Sequence, residues 1–458
     1  MQSEKLENIA VFGLGKLGAC IAAILASRGF KVIGYDVDKR KTAALRKGLA
    51  PIEEPRLQET IESAGSRLTA TDEVEEAIWQ SDVSFYVPST PSLPDGSFSN
   101  HFLTPALEAA ALAVQRQQKK RHLFVVNSTV TPGTFDQVLR PLLERILAGE
   151  CGRDFGLCYN PEFIALGDVI HGLLEPDFVL IGESDPMSGE LLSGVYKQLN
   201  TNAAPIERMS NINAELAKIS LNCAVTMKIS FVNQLSGVCA KIPGADPAVI
   251  LKAIGKDRRV GSDYLKPGLG FGGPCFPRDN RLFQYVAQSV GVEAALSRAT
   301  DVINEDVNRR LLDTVLAHSS EDCSVGVLGL AYKPFTAVVD KAPGIWLCER
   351  LVEAKRHVLA HDFMAGLSAA SALPKEHVRI CATPAEIFQK GCRAIVITCP
   401  WPQYKLVFES NKHLLAGNQT AVIDPWRLLA SIIAGEPSYI ISLNSTASAV
   451  RPEVAAHA

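Results

Sequence analysis

The chain has 458 residues, 47% hydrophobic and 21% charged, with a formal net charge of −3 at pH 7. This is the composition of a multi-domain globular protein, and it excludes a disordered or fibrous chain. The near-balanced charge gives no reason to expect nucleic acid or an acidic membrane surface as partner. Eleven cysteines are scattered without C-x-x-C pairs, so no metal site, no disulfides and a reducing, cytoplasmic setting are expected. Glu4, Lys5 and Glu7 precede any apolar run, which argues against a signal peptide, and no apolar stretch is long enough to span a bilayer.

Residues 8–12 (Asn-Ile-Ala-Val-Phe) predict a short buried strand. Gly13-Leu-Gly15-Lys-Leu-Gly18 follows, then a helical pattern over Ala19–Arg28 and a second strand, Lys31–Tyr35, ending at Asp36. This is G-x-G-x-x-G between strand and helix, with a carboxylate about twenty residues on, which is the fingerprint of a bound dinucleotide. A pyrophosphate would meet the N–H groups of the helix N-terminus. Asp36 would accept from the ribose hydroxyls and repel a 2′-phosphate, favouring NAD over NADP. Strands are also expected over Asp82–Val87, 122–127 and Phe155–Tyr159, ending at Pro88-Ser-Thr-Pro91, Ser128-Thr129 and Asn160-Pro-Glu-Phe163. Polar residues at the carboxyl ends of strands are where open α/β sheets bind ligands.

From about 211 to 241 the pattern becomes one long helical run, apolar on nearly every face and therefore expected to be buried, within the monomer or at a subunit interface. Lys218 and Asn222 interrupt it at i, i+4 spacing. They read as a stripe lining a site, the alternative being a solvated strip. Residues 268–279 read Gly-Leu-Gly-Phe-Gly-Gly-Pro-Cys-Phe-Pro-Arg-Asp. The glycines suit positive φ or close backbone approach. Cys275 beside Arg278 is placed like a nucleophile whose thiolate a cation favours. After 320 the early pattern returns, with strands at Ser324–Leu328, His357–His361 (ending at Asp362) and Ala394–Thr398, but without the full glycine fingerprint and with Lys333-Pro334 after the first strand. The expected fold is α/β: two Rossmann-like doubly wound domains joined by a central helical domain with one long helix. The expected boundaries are 1–205, 206–312 and 313–445, with a frayed tail at 446–458.

This arrangement resembles the UDP-glucose/GDP-mannose dehydrogenase family from about residue 8 to 430. The matching stretches are Gly13–Gly18, Pro51-Ile-Glu-Glu-Pro55, Thr90–Ser97, Ser128-Thr129, Asn160-Pro-Glu-Phe163, Lys218-Ile-Ser-Leu-Asn222, Ile254–Gly261, Gly270–Asp279 and Gly329-Leu-Ala-Tyr-Lys-Pro334. The resemblance implies NAD-dependent oxidation of a nucleotide-sugar C6 hydroxyl to the carboxylate, with UDP-glucose favoured. GDP-mannose, a UDP-N-acetylhexosamine and a non-catalytic nucleotide-sugar-binding homologue stand as alternatives. It assigns Cys275 as the thiohemiacetal- and thioester-forming nucleophile, Glu162 as acid/base and Lys218 with Asn222 as oxyanion stabilisers. Asp279 would assist proton transfer or hold Lys218, and Thr129 would position a water. The cofactor would meet Gly13, Gly15, Lys16, Leu17, Gly18, Asp36, Thr90, Thr129 and Cys275. The sugar nucleotide would meet Glu162, Phe163, Lys218, Asn222, Arg259, Tyr264, Leu265, Phe271, Gly272 and Lys333. Arg259 is similar to a family residue that crosses a subunit interface, implying at least a homodimer. Simple structural roles compete for three of these: a strand-end salt bridge for Glu162, a helix N-cap for Asp279 and a turn hydroxyl for Thr129. Two departures stand out: Leu166 where the family usually has glutamate, and Asp340 where it usually has arginine.

Overall fold

The computed structural model describes residues 6–418, 420–430, 432 and 440–441; the tail expected at 446–458 lies outside them. The chain divides into two compact units, residues 1–221 with 285–291 and residues 222–284 with 292–458.

The first unit is built on an eight-stranded sheet. In chain order the strands are β1 (Asn8–Phe12), β2 (Lys31–Tyr35), β3 (Leu68–Thr71), β4 (Val83–Tyr86), β5 (Leu123–Val126), β6 (Gly156–Tyr159), β7 (Val179–Glu183) and β8 (Ile206–Ser210). Their spatial order is β3-β2-β1-β4-β5-β6-β7-β8, parallel except for the β6–β7 pair. The chain reverses direction across the sheet between β1 and β4, so a crevice opens at their carboxyl ends, the usual place for a ligand. Helices cover both faces, forming two apolar clusters that include Ile24, Phe85 and Leu192 on one side and Phe12, Tyr86 and Phe135 on the other. β8 pairs with β7, so the first sheet continues beyond the boundary expected at 205.

The second unit holds a six-stranded parallel sheet, β11-β10-β9-β12-β13-β14, with β9 (Ser324–Leu328), β10 (His357–His361), β11 (Val378–Ile380), β12 (Ala394–Ile397), β13 (Ala421–Ile423) and β14 (Ile440–Ile441). The core of this sheet repeats that of the first. Gly13 and Gly329 both take positive φ (98° and 106°), and each donates its N–H to the last residue of the neighbouring strand, Tyr35 and His361, at 2.8 Å. Asp36 accepts the Leu14 N–H at 2.7 Å, and Asp362 accepts the Leu330 N–H at 2.7 Å. A Cβ on Gly18 would stand 1.8 Å from the Gly13 carbonyl oxygen; on Gly344 it would stand 2.2 Å from that of Gly329. The first and third fingerprint glycines therefore recur in the second half. The sequence hides them because the loop between them is longer and carries Lys333.

The helix Asn211–Cys239 runs as one piece; Lys218 and Asn222 are buried, as are the apolar Ala214, Ile219 and Val232, and the buried polar face extends well beyond the two residues expected. The buried residues include Asn211, Glu215, Lys218, Asn222, Thr226, Ser230, Asn233 and Ser236, a polar stripe at three- and four-residue spacing. Burial is tolerated because the stripe is bonded: Ser230 donates to the Thr300 carbonyl and Asn233 to that of Leu269. Met227, Phe231 and Val238 lie on the exposed side. Among the described residues no helix is long and apolar enough to cross a membrane.

Candidate active site

Four features of the first unit fit a dinucleotide. Gly18 is packed against Gly13 with no room for a side chain, while a Cβ on Gly15 would meet nothing within 4 Å. The backbone at Gly15 is thus open to an approaching pyrophosphate, at the N-terminus of the buried helix Gly18–Ser27. Asp36 is buried beside the loop, with Lys41 Nζ 3.0 Å from its Oδ2, and exposed Val37 follows it. Thr90, also buried, donates to the Thr129 carbonyl at 2.6 Å, tying the ends of β4 and β5 together. Lys16 is exposed and Leu17 partly so.

At the end of β6 the same unit gathers Glu162, Phe163 and Lys218. The Lys218 ammonium is buried, donates to the Glu162 carbonyl at 2.8 Å and sits 4.5 Å over the Phe163 ring. Tyr196, from the helix Pro186–Leu199, donates to Glu162 Oε1 at 2.8 Å. Burial pushes the Glu162 carboxyl up to about 7, against the opposing pull of the Tyr196 hydroxyl and the Lys218 charge. Nearby, Glu215 is buried on the long helix and accepts the N–H groups of Gly133 (2.7 Å) and Phe135 (3.1 Å), in the segment that follows Thr129. Burial pushes its carboxyl up to about 7 as well. Tyr196 and Glu215 were not found from the sequence. A carboxylate three residues before Lys218, on the same face of an apolar helix, was the signal available for Glu215. Leu166, where a glutamate was expected, packs against the first apolar cluster.

In the second unit the cysteine loop is shaped by lack of space. A Cβ on Gly270 would stand 2.4 Å from Asn304 Oδ1, on Gly272 2.4 Å from the Lys341 carbonyl, and on Gly273 2.7 Å from the Tyr332 ring. The Gly273 N–H donates to the Asp340 carbonyl at 2.8 Å, and the Phe271 N–H to Asn304 Oδ1 at 2.7 Å. Asp340 therefore serves the loop through its backbone while its side chain is exposed, so the arginine-to-aspartate departure leaves that contact intact. Cys275 is exposed and immediately precedes the helix Phe276–Ser289; its carbonyl accepts the Asp279 N–H at 2.9 Å. Cys275 is thus the N-cap residue, and Asp279 lies in the first turn rather than at the cap. A helix N-terminus favours a thiolate. Buried Asp279 accepts from Asn222 at 2.6 Å, and Arg278 Nε is 3.6 Å from its other oxygen. Asn222 lies one turn after Lys218 on the same helix.

Of the remaining sequence-predicted residues, Arg259 is exposed and paired with Asp257 at 2.7 Å, and Tyr264 is exposed with φ of 62°. The Leu265 side chain is buried with Val232 and Leu251. Lys333 is partly exposed on the lengthened loop after β9. No disulfide occurs among the described cysteines, and among the described residues no group of three or more His, Cys, Asp or Glu is placed to hold a metal ion.

Three profiles of one family match the chain in succession: the NAD-binding domain of the UDP-glucose/GDP-mannose dehydrogenase family over residues 7–200, its central domain over 212–306 and its UDP-binding domain over 326–431. The chain belongs to the UDP-glucose/GDP-mannose dehydrogenase family. It is an NAD-dependent nucleotide-sugar 6-dehydrogenase. The UDP-glucose 6-dehydrogenase AglM of Haloferax volcanii is 34% identical over 362 residues, covering 78% of this chain and 84% of that one. The GDP-mannose 6-dehydrogenase of Pseudomonas aeruginosa is 33% identical over 349 residues, covering 75% and 78%. The structure of a UDP-glucose dehydrogenase from the hyperthermophilic archaeon Pyrobaculum islandicum superposes with a TM-score of 0.86 at 31% identity, covering 97% of this chain and 99% of that one.

Proposed function

We propose that the enzyme oxidises the C6 hydroxyl of UDP-glucose to the carboxylate through a covalent thioester on Cys275. The observation that carries this reading is the position of Cys275 at the N-cap of a helix whose first turn holds Asp279, itself bonded to Asn222. NAD, when bound at the Gly13–Gly18 loop and Asp36, accepts hydride from C6 in each of two oxidations. Thr90 and Thr129, joined at the ends of their strands, would help to hold it.

In the first oxidation the hydroxyl proton leaves through a water held by Thr129, and C6 becomes an aldehyde. The Cys275 thiolate then adds to that carbon, forming a C–S bond and an oxyanion. The Lys218 ammonium and the Asn222 amide supply positive charge where this oxyanion develops. Loss of the second hydride gives the thioester. Water attacks the carbonyl carbon, Glu162 takes the water proton, the C–S bond breaks and the thiolate returns. A carboxyl poised near the working pH suits that role. Overall one alcohol, one water and two NAD give one carboxylate, two NADH and three protons.

The sugar and its phosphates are assigned to Phe163, Phe271 and Gly272, and to Lys333, Tyr264 and the Leu265 backbone. Arg259 is assigned to the same substrate from a second copy. The exposed residues Ala224, Met227, Phe231 and Val238 repeat at heptad spacing along the long helix. This is a seam suited to a second copy of the chain, and it supports a homo-oligomer, proposed to be cytoplasmic. GDP-mannose is the second reading, because the Pseudomonas relative matches at nearly the same identity. Purified enzyme offered UDP-glucose, GDP-mannose and UDP-N-acetylhexosamines separately tests both. The proposal expects fastest NAD reduction with UDP-glucose and two NADH per sugar; one NADH per sugar contradicts the thioester route.

A further inference from the structure

The carboxyl of Glu162 is held by a buried polar chain that the proposed reaction does not mention. Asn127, after β5, donates through Nδ2 to the Asn160 carbonyl at 2.8 Å and to Asn160 Oδ1 at 3.1 Å. Asn160, after β6, donates through its own Nδ2 to the Leu180 carbonyl at 2.9 Å. Its Oδ1 is therefore fixed as an acceptor, and the Tyr196 hydroxyl is hydrogen-bonded to it. The same hydroxyl stands 2.8 Å from Glu162 Oε1. A phenol has one O–H, so it serves one of these two acceptors at a time. The Tyr196 ring is packed into the first apolar cluster, which leaves rotation of the hydroxyl as its remaining freedom.

We propose that Tyr196 is a positioning residue for Glu162, turning its single O–H between Glu162 Oε1 and Asn160 Oδ1 so that the carboxyl stays bonded in both protonation states. When Glu162 is ionised, the phenol donates to Oε1. When Glu162 has taken a proton from water, its own O–H donates to the Tyr196 oxygen, and the phenol turns to Asn160. No proton leaves the chain of groups in this exchange. The charged and titratable groups facing Glu162 are Lys218 from the long helix and Tyr196 from the helix Pro186–Leu199. Both favour the ionised form against the cost of burial. The proposal rests on Glu162 being the base for thioester hydrolysis.

The test is a single-turnover pH profile of the hydrolysis phase. Tyr196→Phe keeps the ring and removes only the hydroxyl, so the ionised carboxylate loses a charge-assisted donor, a stronger bond than the one the neutral acid loses. The acidic limb should move up by about one unit, with the alkaline plateau nearly kept. Tyr196→3-fluorotyrosine, a stronger donor of the same shape, should move the limb down. It serves alone if the phenylalanine variant does not fold. Unshifted limbs in the variants, or a rate lowered equally at every pH, overturn the proposal while leaving Glu162 as base. Wild-type hydrolysis by Glu162→Gln, measured alongside, removes the catalytic reading of Glu162 and the tyrosine's role with it.

Discussion

Buried Glu215 makes the segment after Thr129 sensitive to pH in a direction opposite to that of an ordinary salt-bridged carboxylate. Its carboxyl is pushed from the usual 4.5 up to about 7 by burial, although two backbone N–H groups favour its ionised form. The folded state therefore holds a proton that the opened chain releases. The stability from this group is fully present below pH 4.5 and is lost as pH rises through about 7. Between about pH 5.5 and about pH 7.5 that loss amounts to about 2 kcal/mol, roughly a thirtyfold rise in local opening. Hydrogen exchange of peptides covering Gly133–Leu139, corrected for the intrinsic pH dependence of exchange, reads this opening directly. The native protein should lose about 2 kcal/mol of protection over that range. Glu215→Gln, which cannot titrate, should be less protected at the acidic end and nearly flat with pH. Equal slopes in the two proteins would refute the burial argument.

Gly18→Ala puts a Cβ 1.8 Å from the Gly13 carbonyl oxygen, and backbone cannot yield at that distance, so NAD affinity should fall at least tenfold by titration calorimetry while far-ultraviolet dichroism shows the domain still folded. Asn222→Ala removes the donor to Asp279, and kcat should fall roughly 10²–10³-fold with little change in KM for NAD; a change in KM alone would count against an oxyanion role. Phe231→Glu, on the exposed seam of the long helix, should shift sedimentation towards monomer at micromolar concentration, and an unchanged mass would remove the proposed interface.

Much of the scaffold was legible because its signals are local. Asn8–Phe12, Lys31–Tyr35, Ser324–Leu328 and His357–His361 have the bounds expected of short apolar runs stopped by glycine or aspartate. β7 and β8 were missed: β8 reads Ile-Glu-Arg-Met-Ser, a mostly polar run at the sheet edge, where one-sided burial leaves little pattern. The motif residues were legible by type but their partners were not. Tyr196 reaches Glu162 from a different helix, and Glu215 reaches Gly133 across 82 residues of chain. Beyond Lys218 and Asn222, the polar, buried face of the long helix was obscured for the same reason. Overall apolarity does not say which side meets partners, and here Ser230 finds its own on the distant helix Ala295–Ala317 and Asn233 on the loop at Leu269.

The central claim is that the sugar is joined to Cys275 during the reaction. Glu162→Gln should slow release of the acyl group, so enzyme mixed with UDP-glucose and excess NAD, quenched in acid and digested, should show the peptide containing Cys275 heavier by one UDP-glucuronyl group. Uronate accumulating in the native enzyme with that peptide never modified in the variant, or undiminished uronate from Cys275→Ser, would contradict the account.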